Sequence, residues 1–157
     1  MIAKDIMTET SVVVPLDMLV ADLAKLLREM RISGVPVMDG KKKICGIVTV
    51  TDLFKVMKIA RSFKMSRNWF SHFRFSNKIL TIKEIYTRRL IAVLPETPIE
   101  EVAGLMLDKN IHTIPVMNQD RAILYGVIGR HDVTAAALGL DTFQSKVQEN
   151  ASPPQTS

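Results

Sequence analysis

The sequence has a single cysteine, Cys45, and no long run of apolar residues. One cysteine cannot form an internal disulfide and is typical of proteins of the reducing cytosol. No stretch approaches the ~18 uncharged apolar residues that a membrane-spanning helix requires. The first residues also lack the basic and then apolar order of a signal peptide. These absences predict a cytoplasmic protein with no membrane span.

Motifs of catalysis and metal binding are lacking as well. The chain has no glycine-rich phosphate loop of the G-x-x-x-x-G-K type, and no serine, cysteine or lysine lies in a nucleophile motif. The soft metal ligands follow no zinc-binding spacing; they are Cys45, His72, His112 and His131. We therefore expect neither an enzyme nor a metal-binding protein.

Acidic residues are absent from one stretch, residues 53–83, which holds eight of the 21 Lys and Arg residues and six of the nine aromatic residues. The net charge of +5 therefore originates in this stretch. Basic residues interleaved with aromatic ones can bind nucleic acid or another polyanion. They can equally pack beneath a helix or across a dimer interface, dock an effector protein, or close over a ligand cleft as a lid. The sequence leaves these alternatives open.

The chain repeats one order of motifs: residues 4–8 correspond to 83–87, residues 32–38 to 111–117, and residues 46–52 to 126–132. A repeat with conserved order predicts two copies of one supersecondary unit packed together. The predicted boundaries are 1–60 for the first copy and 79–140 for the second. A basic, aromatic-rich insertion occupies 61–78, and a polar, disordered tail occupies 141–157.

Each copy is predicted to contain a strand, a helix, a strand pair and a second helix. In the first copy Val20, Leu23 and Leu27 recur at helical spacing, and Asp39-Gly40 predicts the turn of a hairpin. Asp52 is expected to cap the helix that follows. The predicted fold class is α/β of the α+β type, with two repeats packed about a pseudo-two-fold axis and a ligand cleft between them.

These motifs resemble the tandem CBS-domain module, also called the Bateman module. The resemblance rests on Asp5–Thr8, on Gly34–Val37, and on Gly46–Asp52, which fits the family's nucleotide signature of glycine, two apolar residues, Thr or Ser, any two residues, and Asp or Asn. It implies a regulatory, non-catalytic module that binds an adenosine compound (AMP, ADP, ATP or S-adenosylmethionine). It also implies a homodimer that acts by a conformational shift on an effector enzyme or transporter.

The resemblance implies candidate binding residues in both copies. In the first copy, Asp52 would accept hydrogen bonds from the ribose hydroxyls and Thr49 would contact ribose or phosphate. The adenine would lie in an apolar slot; its candidate residues are Val12, Val13, Val35 and Pro36. The candidates of the second copy are His112, Ile114, Arg130, His131 and Asp132. A role for Asp52 as a helix cap alone is the open alternative.

The second copy departs from the signature at one position. Gly129 replaces the residue equivalent to Thr49, so a hydroxyl contact is missing there, while Arg130 and His131 could meet a phosphate instead. His112 is either a further phosphate contact or an ordinary surface histidine. Tyr86 replaces Met7 of the opening motif, and we expect this bulkier residue to lie at the mouth of the second copy. The first copy is therefore the expected nucleotide site, and the second is expected to be empty, weaker or limited to phosphate contact.

Overall fold

The computed structural model describes residues 1–10, 12–62 and 80–140. In chain order the elements are α1 (Ala3–Ile6), β1 (Thr8–Glu9), β2 (Val14–Pro15), α2 (Val20–Met30), β3 (Gly34–Met38), β4 (Ile44–Thr49), α3 (Val50–Ser62), a 3-10 turn (Ile82–Glu84), α4 (Ile99–Asp108), β5 (Thr113–Met117), β6 (Leu124–Gly129) and α5 (Arg130–Ala137). The predicted mixed α/β fold with two repeats is confirmed. Most of the predicted insertion and the whole predicted tail, 141–157, lie outside the described residues.

The two copies have the same local backbone even where their residues differ. A residue with positive φ follows the first long helix of each copy: Arg31 at 53° and Asn110 at 50°. Another lies in each hairpin turn, Lys42 at 61° and Arg121 at 55°. A side chain in the left-handed region costs roughly 1–2 kcal/mol. The shared geometry at equivalent positions shows that the repeat in the sequence is a repeat in structure.

The described residues form two three-stranded sheets. The strands of the first copy lie in the order β2-β3-β4, with β2 parallel and β4 antiparallel to β3. The other sheet has the order β1-β6-β5, and both of its strand pairs are antiparallel. Strand β1 comes from the start of the chain and pairs with the last strand of the second copy.

The opening segments of the two copies are exchanged between the compact units. One unit contains Met1–Thr10 with the described residues from Ala92 onward, and the other contains the described residues within Ser11–Ile91. In the first unit, Thr8 pairs with Val127 of β6. In the second, Thr87 pairs with Ile47 of β4 through two backbone hydrogen bonds of 2.9 and 2.8 Å. The sequence repeats and the compact units therefore do not coincide.

Two equivalent glycines permit this exchange. A Cβ atom built on Gly46 would lie closer than 3.0 Å to the Thr87 carbonyl oxygen, and one built on Gly126 would crowd the Thr8 carbonyl oxygen in the same way. The Tyr86 ring also lies against Gly46. The expectation that Tyr86 lies at the mouth of the second copy is thus wrong, because its segment packs on a strand of the first copy.

The opening segment also contributes to a hydrophobic core. Ala3 and Ile6 of α1 belong to one buried cluster with residues of α4, β5, β6 and α5, among them Val102, Met106, Ile114, Ile128 and Ala136. Burial of a side chain the size of Ile6 stabilises a fold by about 1.5–3 kcal/mol. Residues 1–10 are therefore an integral part of this unit.

Candidate functional site

Asp52 lies where β4 passes into α3. It is the third residue of the helix, and its Oδ2 accepts hydrogen bonds from the Thr49 N–H (2.8 Å) and the Thr49 hydroxyl (3.0 Å). The Asp52 N–H in turn lies 3.4 Å from Thr49 Oγ1. These reciprocal bonds form a capping box in which Thr49 is the capping residue. The prediction that Asp52 itself is the N-cap is wrong, because the helix begins at Val50, although the Asp52 carboxylate does accept an N–H at the helix start. Asp52 is only 4% exposed.

The other carboxylate oxygen of Asp52 is also engaged. Oδ1 forms an ion pair with Lys55 Nζ and lies 3.4 Å from the Thr87 hydroxyl oxygen. Lys55 Nζ is also 3.3 Å from the Ile85 carbonyl oxygen. We call the group formed by Thr49, Asp52, Lys55 and Thr87 the Asp52 site.

Lys55 and Thr87 were not among the predicted site residues, although the sequence carried a signal for each. Lys55 follows Asp52 by three positions in a predicted helix, a spacing at which opposite charges meet. Thr87 ends the second opening motif as Thr8 ends the first. Its contact with Asp52 was not predicted, because the sequence does not show that the opening segment of the second copy packs in the unit of the first.

The predicted apolar residues of the first copy are divided between the two faces of the sheet. Pro36 pairs with Ile47 and Gly34 with Thr49, so Pro36 lies on the face that carries Thr49. Val35 pairs with Val48 on the opposite face and is 0% exposed. Val12 and Val13 precede β2 and are half-buried.

The equivalent carboxylate of the second copy, Asp132, is less engaged. Its Oδ2 accepts a hydrogen bond from the Gly129 N–H (2.7 Å), and the position equivalent to Lys55 is occupied by Ala135. Within the described residues Asp132 Oδ1 has no hydrogen-bond partner. Burial raises the pKa of the Asp132 carboxyl, an effect opposed by the Gly129 N–H and by the nearby His131.

The remaining candidates of the second copy surround the start of α5. Arg130 and His131 are exposed, as is His112, whose carbonyl oxygen accepts the Arg130 N–H (3.1 Å). The Arg130 guanidinium donates to the Ile111 carbonyl (3.3 Å) and to Asn110 Oδ1 (3.4 Å). Ile114 is fully buried and pairs with Ile128. We call the group formed by His112, Thr113, Arg130, His131 and Asp132 the Asp132 site.

Thr113 belongs to this group because of strand register. It pairs with Gly129 across β5 and β6, at the position where Gly34 pairs with Thr49 in the first copy. In the first copy the glycine is on the first strand of the pair and the threonine on the second. In the second copy the threonine is on the first strand and the glycine on the second. Gly129 aligns with Thr49 in sequence, which predicted a missing hydroxyl, but the strand register places Thr113 opposite Gly129.

The described residues contain neither a candidate metal site nor a helix that could span a membrane. Within 1–10, 12–62 and 80–140, no group of three or more His, Cys, Asp and Glu residues could hold a metal ion. No helix in the same ranges has the length and apolar character needed to cross a bilayer.

Comparisons with known proteins agree on one family. The profile of the CBS domain matches residues 3–59 and 82–139. An uncharacterized protein of Methanocaldococcus jannaschii is 27% identical over 157 residues, which cover 88% of this chain and 92% of that protein. The chain also matches curated enzymes, but it spans only 22–23% of their length.

Two solved structures with the same fold contain bound adenosine compounds. A CBS domain pair in complex with 5′-methylthioadenosine and S-adenosyl-L-methionine is 26% identical with a TM-score of 0.68, and the match covers 88% of this chain and 97% of that one. CBSX2 in complex with AMP is also 26% identical, with a TM-score of 0.64, and the match covers 88% of this chain and 96% of CBSX2.

Proposed function

Because this chain belongs to the CBS-domain family, we propose that it is a regulatory module that binds an adenosine compound at the Asp52 site, with the Asp132 site as a second binding position. The observation that carries the proposal is the repeated carboxylate. Asp52 and Asp132 both lie at the third position of a helix that directly follows the last strand of a copy. CBS pairs with this fold bind AMP and S-adenosyl-L-methionine.

The chemistry of the Asp52 site suits a ribose. A carboxylate can accept from two vicinal hydroxyls at once, and hydrogen bonds to a charged acceptor are the stronger kind. The Thr87 hydroxyl adds a donor or acceptor beside the carboxylate. The half-buried Val12 and Val13 offer apolar surface for adenine, and Pro36, which is buried, lies on the sheet face of Thr49. Val35 enters this proposal only through its backbone.

The Asp132 site suits a ligand that carries phosphate. Asp132 Oδ1 is available to a ribose hydroxyl, and Arg130, His131 and His112 lie at the same end of α5. A guanidinium recognises phosphate through paired N–H donors. To do so, Arg130 would exchange its two weak bonds, of 3.3 and 3.4 Å, for stronger ones to the ligand.

A thermal-shift screen of nucleotide-free protein tests the proposal. The ligands are AMP, ADP, ATP, S-adenosylmethionine and, as a control nucleotide, GTP. A ligand at about 100 times its Kd stabilises the fold by about 2.7 kcal/mol, which corresponds to a shift on the order of 5–10 °C. We expect a shift with one or more adenosine compounds and none with GTP.

Variants then assign the sites. Asp52→Ala and Asp132→Ala are each expected to remove one binding event, and the double variant both, in isothermal titration calorimetry. Circular dichroism of each variant verifies that the fold persists. If the double variant binds with the affinity of the parent chain, the site assignment is wrong. If the parent binds no adenosine compound, the proposed function is wrong.

Signalling would proceed by a shift of population. A ligand that binds one arrangement of the protein better than another shifts the equilibrium by its difference in affinity. We propose that the module acts in this way as a cytoplasmic homodimer on an effector enzyme or transporter. Sedimentation velocity with and without the best ligand tests the dimer, and a monomer under both conditions would contradict it.

A further inference from the structure

We propose that Lys55 makes the Asp52 site selective for adenosine compounds with a negative charge at the 5′ position. This inference rests on the proposed function and adds a specificity determinant to it. Under it, the site prefers AMP, ADP or ATP to adenosine, and adenosine to the cationic S-adenosylmethionine.

The first step is that the Asp52 carboxylate is already saturated by the protein. A carboxylate offers about four acceptor positions on its two oxygens. Oδ2 receives the N–H and the hydroxyl of Thr49, and Oδ1 receives Lys55 Nζ and the Thr87 hydroxyl. A ribose diol can therefore bind Asp52 only by replacing one of these partners.

Lys55 is the partner of Asp52 that a ribose would displace. The Thr49 bonds are part of the helix cap, and Thr87 is fixed to β4 by two backbone hydrogen bonds. The Lys55 side chain is 53% exposed and has four rotatable carbons, so it can leave Oδ1 without moving the backbone. Its second partner, the Ile85 carbonyl oxygen at 3.3 Å, holds the ammonium close to the site after it leaves.

The second step concerns the positive charge of Lys55 after a ribose has displaced it from Asp52. Once a ribose occupies Oδ1, the ammonium of Lys55 has lost its anion while remaining beside the ligand. A 5′-phosphate supplies a replacement anion, and such a charge-assisted bond is roughly twice as strong as a neutral one. The sulfonium of S-adenosylmethionine supplies a like charge instead and repels the ammonium.

The Asp132 site provides an internal comparison. Its residue at the Lys55 position is Ala135, and no ammonium among the described residues pairs with Asp132. A ribose at Asp132 displaces no cation, so this mechanism of charge selection operates in one copy only. Under this proposal the two copies differ in specificity.

The experiment measures binding of three ligands that share a nucleoside but differ in charge: AMP, adenosine and S-adenosylmethionine. Calorimetry is performed at fixed ionic strength on chains that carry Asp132→Ala, so that the measured binding is that of the Asp52 site alone. Lys55→Met is compared with its parent. Lys41→Met is the matched control, because it removes the same charge from the exposed turn at the far end of the β3–β4 hairpin. Thermal melting verifies that each variant is folded.

We expect the ratio of AMP affinity to S-adenosylmethionine affinity to fall by at least about tenfold in Lys55→Met, since the bond from Lys55 to a phosphate is charge-assisted and belongs to the stronger kind. Lys41→Met should leave the ratio unchanged, and Lys55→Arg should retain most of it. An unchanged ratio in Lys55→Met overturns the role of Lys55 but not the proposed function. Absence of binding in the Asp132→Ala parent, with binding in the original chain, also overturns it. Absence of binding in both overturns the inference and the proposed function together.

Discussion

Thr113 lies directly opposite Gly129 across β5 and β6, which reverses the order of Gly34 and Thr49 across β3 and β4. Each copy thus has one threonine and one glycine at the end of its strand pair. In the first copy the threonine precedes the helix and its hydroxyl bonds to Asp52. In the second copy the threonine is on the neighbouring strand and is 4% exposed. The second copy therefore retains a buried hydroxyl at this position, but lacks the side-chain half of its capping box.

Adding a threonine hydroxyl at Gly129, which would complete the capping box of the second copy, should stabilise the protein. Gly129 has an extended backbone (φ −95°, ψ 166°) that admits any side chain. In Gly129→Thr, the new hydroxyl is expected to accept the Asp132 N–H and to raise the free energy of unfolding by about 0.5–1 kcal/mol. Urea denaturation measures the change. A decrease would show that Thr113 leaves no space for a side chain opposite.

Adding a methyl group at Gly46 or Gly126 should destabilise the fold. At either position the Cβ would lie within 3.0 Å of a backbone carbonyl oxygen, that of Thr87 or that of Thr8. Overpacking against backbone typically costs 1–3 kcal/mol. We expect Gly46→Ala and Gly126→Ala each to lower the free energy of unfolding by about that amount, as measured by chemical denaturation.

Gly104 is the matched control for these two variants. It lies within α4 and a Cβ there would meet nothing within 4 Å. Alanine is the better helix former, so Gly104→Ala should raise the free energy of unfolding by about 0.5–1 kcal/mol. Equal effects at all three positions would show that the close approach of the opening segments does not constrain Gly46 and Gly126.

The stability contribution of Asp132 should depend on pH. Burial raises the pKa of this carboxyl, so the folded protein holds the proton more tightly than the unfolded chain. Stability from this group is therefore greatest at low pH and falls as the pH rises through the raised pKa. Asp132→Asn does not ionise, yet it keeps an oxygen for the Gly129 N–H.

The melting temperature of Asp132→Asn relative to the parent should thus increase between about pH 4 and about pH 7. The same substitution at the exposed Asp22 is the control. The prediction fails if both variants show the same pH dependence.

Cys45 should react slowly with thiol reagents. Burial and the negative charge of Asp39 raise the pKa of its thiol, and only the thiolate is nucleophilic. Asp39→Asn removes the charge and retains an oxygen for the turn, where Asp39 Oδ1 accepts the N–H groups of Lys41 and Lys43. We expect this variant to react faster with an aromatic disulfide reagent at about pH 8. A rate equal to that of the parent would assign the slow reaction to burial alone.

Local patterns in the sequence predicted the elements well. The spacing of Val20, Leu23 and Leu27 predicted α2 because a helical period places these side chains on one face, and all three are buried. Asp52 was predicted as a cap because a carboxylate at a helix start satisfies free N–H groups. Its carboxylate does accept an N–H there, but from the third helical position, because the helix begins at Val50. Such inferences need only neighbours within a few positions of the chain.

Features that depend on partners far along the chain were not predicted. The hydrogen bond between Thr87 and Asp52 joins residues 35 positions apart. The repeat gives the order of the motifs along the chain, but it does not show which segments pair in the fold. The relation of Thr113 to Gly129 requires the register of two strands. Val35 and Pro36 were both predicted to contact adenine, but adjacent residues in a strand face opposite ways.

The exchange of opening segments has a consequence for synthesis on the ribosome. Residues 1–10 complete a sheet whose other strands, β5 and β6, extend from Thr113 to Gly129. At about 5–20 residues per second, the nascent opening segment waits on the order of ten seconds for those strands to emerge. The earliest translated part of this sequence is therefore among the last to dock, and its apolar Ala3 and Ile6 stay uncovered throughout that interval.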